Sequence, residues 1–142
     1  MTQNRVGYRG YVTSRTFGGT YVPVPLQSVA LRDYCARHKL LYKLHVNENM
    51  FPHSYMVLEA LVLNLSDLEG IVMCSIFMLP ERPERRSHIY NNVFRQGAEI
   101  RFVQEGIVVA EPADVEPIEE TLSIYNTLPM CPQTLPPELV EE

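Results

Sequence analysis

RGYVTSRTFGGTYVPVPLQSVALRDYC, residues 9 to 35, begins as a strand, passes through Ser14-Arg15 and a Gly18-Gly19 loop, and opens a helix at Pro25. In an open parallel α/β sheet, ligands bind just beyond the carboxyl ends of the strands, where helix N-termini offer unpaired N–H groups. This segment supplies those parts in that order.

Working outward, Val6 to Thr13 is rich in aromatic and β-branched residues and reads as the first strand. Pro25 at N1 starts a helix whose Leu26, Val29, Ala30, Leu31, Tyr34 and Cys35 recur at helical spacing and which ends near His38-Lys39. Leu41 to Val46 is a second strand, and Ser54 is the expected N-cap of a helix running to about Leu65. Gly70 to Phe77, apolar almost throughout, suits a strand buried on both faces of a parallel sheet. Pro83 then starts a third helix that Gly97 stops, with Tyr90, Val93 and Phe94 at core spacing, as Tyr34 is in the first. Glu99 to Val103 is a fourth strand, Ile107 to Val109 adds a short strand or bends back along the rim, and a last helix covers Val115 to about Tyr125 with Pro117 in its first turn. The alternation of strands and helices predicts a single α/β domain, residues 1 to 126. Its sheet is open and mainly parallel, with four or five strands in the order 2-1-3-4, flanked by helices. From Thr127 the composition is Pro-rich with a Glu-Glu end, and residues 127 to 142 are expected to form a mobile tail.

Composition narrows the function. The 142 residues match one domain, with 46% hydrophobic and 20% charged residues. No apolar run reaches membrane-spanning length, and the N-terminus lacks the apolar core of a secretion signal. Three cysteines, an odd number with no Cys-x-x-Cys or Cys/His pairing, fit a reducing cytoplasm and suggest no zinc. A net charge of -5 disfavours a nucleic-acid surface, which concentrates Lys and Arg. No cofactor and no metal are expected.

Two family resemblances follow. The first strand ending in Ser14, the helix LRDYCARHKL, the strand LYKLHVNE, the stretch GIVMCSIFMLPERPERR and GAEIRFVQEG resemble, in that order, the catalytic domain of serine recombinases. That resemblance implies a resolvase-like fold and places Ser14 where the family's nucleophile stands. Val12, however, occupies the place of the preceding Arg, and residues 79 to 85, LPERPER, only loosely echo the family's Leu-Asp-Arg-x-x-Arg pattern. Neither a long dimer helix nor a DNA-binding module is expected, so the fold is taken from the resemblance and the reaction is not. GYVTSRTFGG, LRDYC, SYMVLEAL and GIVMCSIFMLP resemble a second family, small proteins encoded in sporadic carbohydrate-biosynthesis clusters. This implies a setting, synthesis of an unusual sugar, and assigns no residue a role.

The candidate site gathers on the carboxyl rim of the sheet. Arg15 offers bidentate donors to a phosphate or carboxylate, and Gly18-Gly19 lets backbone N–H groups approach the same anion; alternatively Ser14 caps a turn and the glycines only fold the loop. Ser14 is also a candidate nucleophile. Glu48 and Glu105, each just after a strand, are candidate general acids or bases, with strand-end solvation as the alternative. His53 is a candidate proton carrier, and Tyr55 and Ser75 are further ligand-binding candidates. Arg82, Arg85 and Arg86 at the start of the third helix oppose its macrodipole, so either an anionic ligand or pairing with Glu81 and Glu84 accounts for them. Met50, Phe51 and Met56 are expected to cover a ligand or meet a second subunit, and edge strands suggest a homo-oligomer. Three functions follow: a cytoplasmic enzyme, of isomerase, epimerase or lyase type, moving a proton on an anionic sugar or nucleotide sugar; a non-catalytic ligand-binding partner of a pathway enzyme; and, least favoured, a DNA recombinase relative. The first is the expectation, with no nucleic acid and no membrane as partners.

Overall fold

In the computed structural model, residues 5 to 48, 50, 51 and 53 to 127 are described, so the expected tail lies outside them apart from Thr127. The elements are β1 (Tyr8–Val12), α1 (Val24–Arg37), β2 (Tyr42–Asn47), α2 (Met56–Leu63), β3 (Gly70–Met73), a 3-10 turn (Ile76–Met78), α3 (Pro83–Arg95), β4 (Glu99–Phe102), β5 (Ile107–Val109), a second 3-10 turn (Pro112–Asp114) and α4 (Val115–Thr127). The sheet has the order β2-β1-β3-β4-β5. Its first four strands are parallel and β5 is antiparallel to β4. The expected 2-1-3-4 order is therefore present, with the short segment after Gly106 closing one edge as a strand.

Burial explains the pattern. All four residues of β3 are buried, whereas β4 alternates between half-buried and buried and edge strand β2 is half-exposed along its length. A central parallel strand has helices on both faces and no place for a polar side chain. The chain crosses from β1 to β2 in one direction and from β2 to β3 in the other, so right-handed crossovers place α1 and α2 on opposite faces. Pro25 lies in the first turn of α1 and Pro83 is the first residue of α3, positions where the missing N–H leaves nothing unbonded. α3 ends at Arg95, and Gly97 leaves it with φ 72°, the left-handed conformation that closes a helix at no steric cost.

Two elements depart from expectation for the same physical reason. The third apolar run ends as a strand at Met73 rather than Phe77, because the Glu105 carboxylate accepts from the Ile76 N–H (3.1 Å) and the Ser75 hydroxyl (2.7 Å), turning the chain into a 3-10 turn. Ser54 does not cap α2. That helix starts one residue later, at Met56, and its free N–H groups on Val57 and Leu58 donate to Glu48 instead, each at 3.1 Å. In both places a carboxylate from the end of another strand satisfies donors that the helical turn leaves unpaired.

Candidate functional site

The crevice opens where β1 and β3 diverge into their connections. A cavity of about 550 Å³ there is lined by Thr13 and residues 15 to 19 after β1, but not by Ser14, by the segment after β3, and by Leu122 and Tyr125 of α4. This is the switch point at which the sheet's connections change direction.

β1 delivers the first group. Gln27 of α1, fully buried, donates to the carbonyls of Thr13 (2.6 Å) and Val22 (2.8 Å) and accepts from the Thr13 N–H (3.1 Å), holding the strand end as a neighbouring strand would. The Thr13 hydroxyl in turn accepts from both the backbone N–H and the Nε–H of Arg15, each at 3.2 Å. This local turn aims Arg15 across the Tyr55 ring, with its guanidinium carbon 4.6 Å from the ring centroid. Arg85 approaches the same ring at 5.2 Å. Tyr55 thus carries two guanidinium groups, a cation–π arrangement in which the cations repel each other. Arg85 is partly neutralised by Glu59, at 2.8 Å, whereas Arg15 and the exposed Arg82 have no carboxylate within ion-pair reach among the described residues. A second depression of about 420 Å³, lined by His53, Tyr55, Glu81, Arg82 and Arg85, adjoins the first. His53 is exposed, takes φ 59°, and stands 3.9 Å from Glu81.

The remaining candidates have other occupations. Glu48 is 3% exposed and accepts from Tyr11 Oη (2.8 Å) and Ser54 Oγ (3.3 Å) as well as from the two α2 N–H groups. Burial, reinforced by this carboxylate, pushes the Tyr11 phenol well above its ordinary pKa, so it donates permanently. Glu105 and Ser75 bond each other, and Ser75 is fully buried with its oxygen also accepting from the Phe77 N–H at 3.1 Å, which leaves it no reach to a ligand. Burial and the neighbouring Glu105 raise the Cys74 thiol to about 11. Glu48 and Glu105 therefore cap helical turns rather than face each other as an acid–base pair. Gly18 and Gly19, with φ 61° and 78°, are the central residues of a tight hairpin closed by mutual hydrogen bonds between Phe17 and Thr20 (3.0 and 3.1 Å). The hairpin seats against Phe77 and Tyr125, whose rings lie 4.5 Å apart.

The three helix arginines separate. Arg86, 4% exposed, makes two bonds to Glu119 of α4 (2.8 and 2.7 Å) and one each to the carbonyls of Pro80 and Glu81 (3.0 and 2.8 Å). Its bidentate bonding holds the Glu119 carboxyl below the ordinary range. The carboxylate partners of Arg85 and Arg86 thus come from α2 and α4, and the side chains of Glu81 and Glu84 pair with neither. Ser14 is half-buried, and its hydroxyl makes no hydrogen bond among the described residues. Among the described residues no three His, Cys, Asp or Glu side chains come together as a metal ion would require. No helix among them is long and apolar enough to cross a membrane.

No family model and no curated protein matches this chain. Among solved structures, the chain is similar to the N-terminal catalytic domain of TP901-1 integrase, with a TM-score of 0.55 and 12% identity over 89% of this chain and 98% of that one. The fold is resolvase-like. At that identity the likeness establishes the fold alone, and it agrees with the first of the two sequence resemblances. It also corrects the functional expectation. The structural likeness leads to an integrase catalytic domain and nothing found points to sugar biosynthesis, so the carbohydrate reading is overturned. The second resemblance, to carbohydrate-cluster proteins, has no support.

The residues that sequence reasoning missed are Thr13, Gln27 and Glu119. A Thr at a strand end two residues before an Arg is a signal for a side-chain-to-backbone turn. For Gln27 and Glu119 no local signal exists, because their partners come from other elements.

Proposed function

We propose that this chain is a distant relative of serine recombinase catalytic domains that binds a phosphate ester in the strand-end cleft. The observation that carries the reading is Arg15: held by Thr13, stacked on Tyr55 beside Arg85, and without a carboxylate partner among the described residues. A guanidinium matches two phosphate oxygens at once, and an anion between Arg15, Arg82 and Arg85 relieves their mutual repulsion. The acidic net charge of -5 fits a short phosphorylated group better than a long duplex, which demands many phosphate contacts. The test is thermal unfolding of wild type and Arg15→Ala with pyrophosphate as the probe. A ligand at 100 times its dissociation constant stabilises the native state by about 2.7 kcal/mol. Wild type is expected to shift and Arg15→Ala not to; equal shifts, or none, sink the reading.

The Ser14 hydroxyl, just after β1 and next to Arg15 and without a hydrogen bond among the described residues, favours a second reading in which Ser14 attacks a phosphodiester. Its oxygen would join phosphorus while a sugar oxygen leaves with the hydroxyl proton. Incubation with supercoiled plasmid followed by mass spectrometry of the Ser14 peptide decides it: a nucleotide adduct absent in Ser14→Ala supports strand attack, and an unmodified wild-type peptide removes it.

A further inference from the structure

The cleft has two chemically distinct ends, and a phosphate on Arg15 occupies only one. At one end stand the Arg15 guanidinium and His53; at the other, Phe77 and Tyr125 form a tilted aromatic pair at 4.5 Å, with Tyr125 36% exposed on the last turns of α4. The lining also carries hydrogen-bonding groups: Thr16, the hairpin backbone at Gly18-Gly19 beside the aromatic pair, and Glu81, whose carboxylate lies 3.9 Å from His53. A purely aliphatic ligand tail would strip water from those groups without replacing its hydrogen bonds, which is costly. A planar heterocycle with donors and acceptors on its edge meets both requirements, lying against aromatic side chains while its edge bonds the wall. A cavity of about 550 Å³ falls within the usual range for a small-ligand site.

Resting on the phosphate reading of this same cleft, we infer that its ligand is a nucleoside phosphate, with the phosphate on Arg15 and the base against Tyr125 and Phe77. The same chemistry is offered by a free mononucleotide and by an unpaired nucleotide of a single strand. In a duplex the base is stacked between its neighbours and does not reach the aromatic pair.

The experiment is calorimetric titration of the full chain and of Tyr125→Ala with pyrophosphate, adenosine 5′-monophosphate, a short oligothymidylate and a duplex of the same length. Tyr125 is part-exposed, so its removal is expected to leave the chain folded, and circular dichroism of the variant is the check. Wild type is expected to bind the mononucleotide or the oligothymidylate, with Tyr125→Ala weakening that binding about tenfold, the loss of one base–aromatic contact, and leaving pyrophosphate affinity unchanged. Binding of the mononucleotide assigns the site to a free nucleotide, and binding of the oligothymidylate alone assigns it to a strand. Nucleotide affinity unchanged by Tyr125→Ala, or binding of the duplex alone, overturns the base contact while the phosphate reading stands. Absence of binding by every probe, pyrophosphate included, overturns both.

Discussion

Glu48 shows how far a residue's role depends on what points at it. By sequence it is a carboxylate after a strand; in the fold it receives two backbone N–H groups and two hydroxyls with 3% of its surface exposed. A carboxylate so engaged is a structural anion at a helix N-terminus, where it also meets the positive end of the macrodipole. Glu48→Gln replaces an acceptor oxygen by an NH₂ that faces other donors. Stability measured by urea unfolding is expected to fall by about 1–3 kcal/mol, the cost of leaving buried donors unsatisfied. A variant as stable as wild type would show that Glu48 does not hold α2. Arg15 is the converse case, a charged side chain whose geometry is supplied by Thr13 and Tyr55 and whose charge finds no partner within the described protein.

At the scale of elements, the hairpin of residues 17 to 20 brings one wall of the cleft to the other. Both central residues have positive φ, a conformation that costs a non-glycine residue about 1–2 kcal/mol. They differ in what an added methyl would meet. At Gly18 it would lie 3.3 Å from Cδ2 of Phe77, whereas at Gly19 the nearest atom is the Tyr125 hydroxyl oxygen at 3.4 Å, the far end of a side chain that can turn aside. Gly19→Ala is therefore expected to lose about 1 kcal/mol from conformation alone. Gly18→Ala should lose more, because the Phe77 ring must also shift, and should weaken any ligand that rests on it. Comparing the two denaturation midpoints checks the order; Gly19→Ala as the more damaging change would contradict this geometry.

For the whole molecule, the attachment of α4 matters most, since Leu122 and Tyr125 complete the cleft. Glu119 is bonded by Arg86 and by Tyr90 Oη (2.8 Å), and the Arg86 contact lowers its pKa from 4.5. The sign follows directly. The folded state holds this proton less tightly than the unfolded one, so the contribution is present above about pH 4.5 and is lost as pH falls through the lower folded value. Thermal midpoints are expected to drop in that acid range for wild type. Glu119→Gln should show a lower midpoint at neutral pH and a flatter acid slope. Parallel slopes for the two proteins would mean that other carboxylates govern the acid transition.

Element identity and order were written locally. Apolar β-branched runs separated by helical spacing dictate alternating strands and helices, and Pro25, Pro83 and Gly97 punctuate α1 and α3 through their own backbone constraints. The right-handed crossover rule then leaves few sheet orders, so β2-β1-β3-β4 was within reach of the sequence. The rim as the place of the cleft was likewise legible, because strand ends and helix starts are sequence features. The tertiary structure alone decided which rim residues are free. Whether Glu48, Glu105 and Arg86 face solvent or buried donors and acceptors depends on groups 5 to 37 residues away, and pairing of that kind leaves no periodic trace in the chain. The end of β3 at Met73 was hidden for the same reason: its apolar sequence continues, but a carboxylate 29 residues downstream takes the Ile76 N–H and turns the chain.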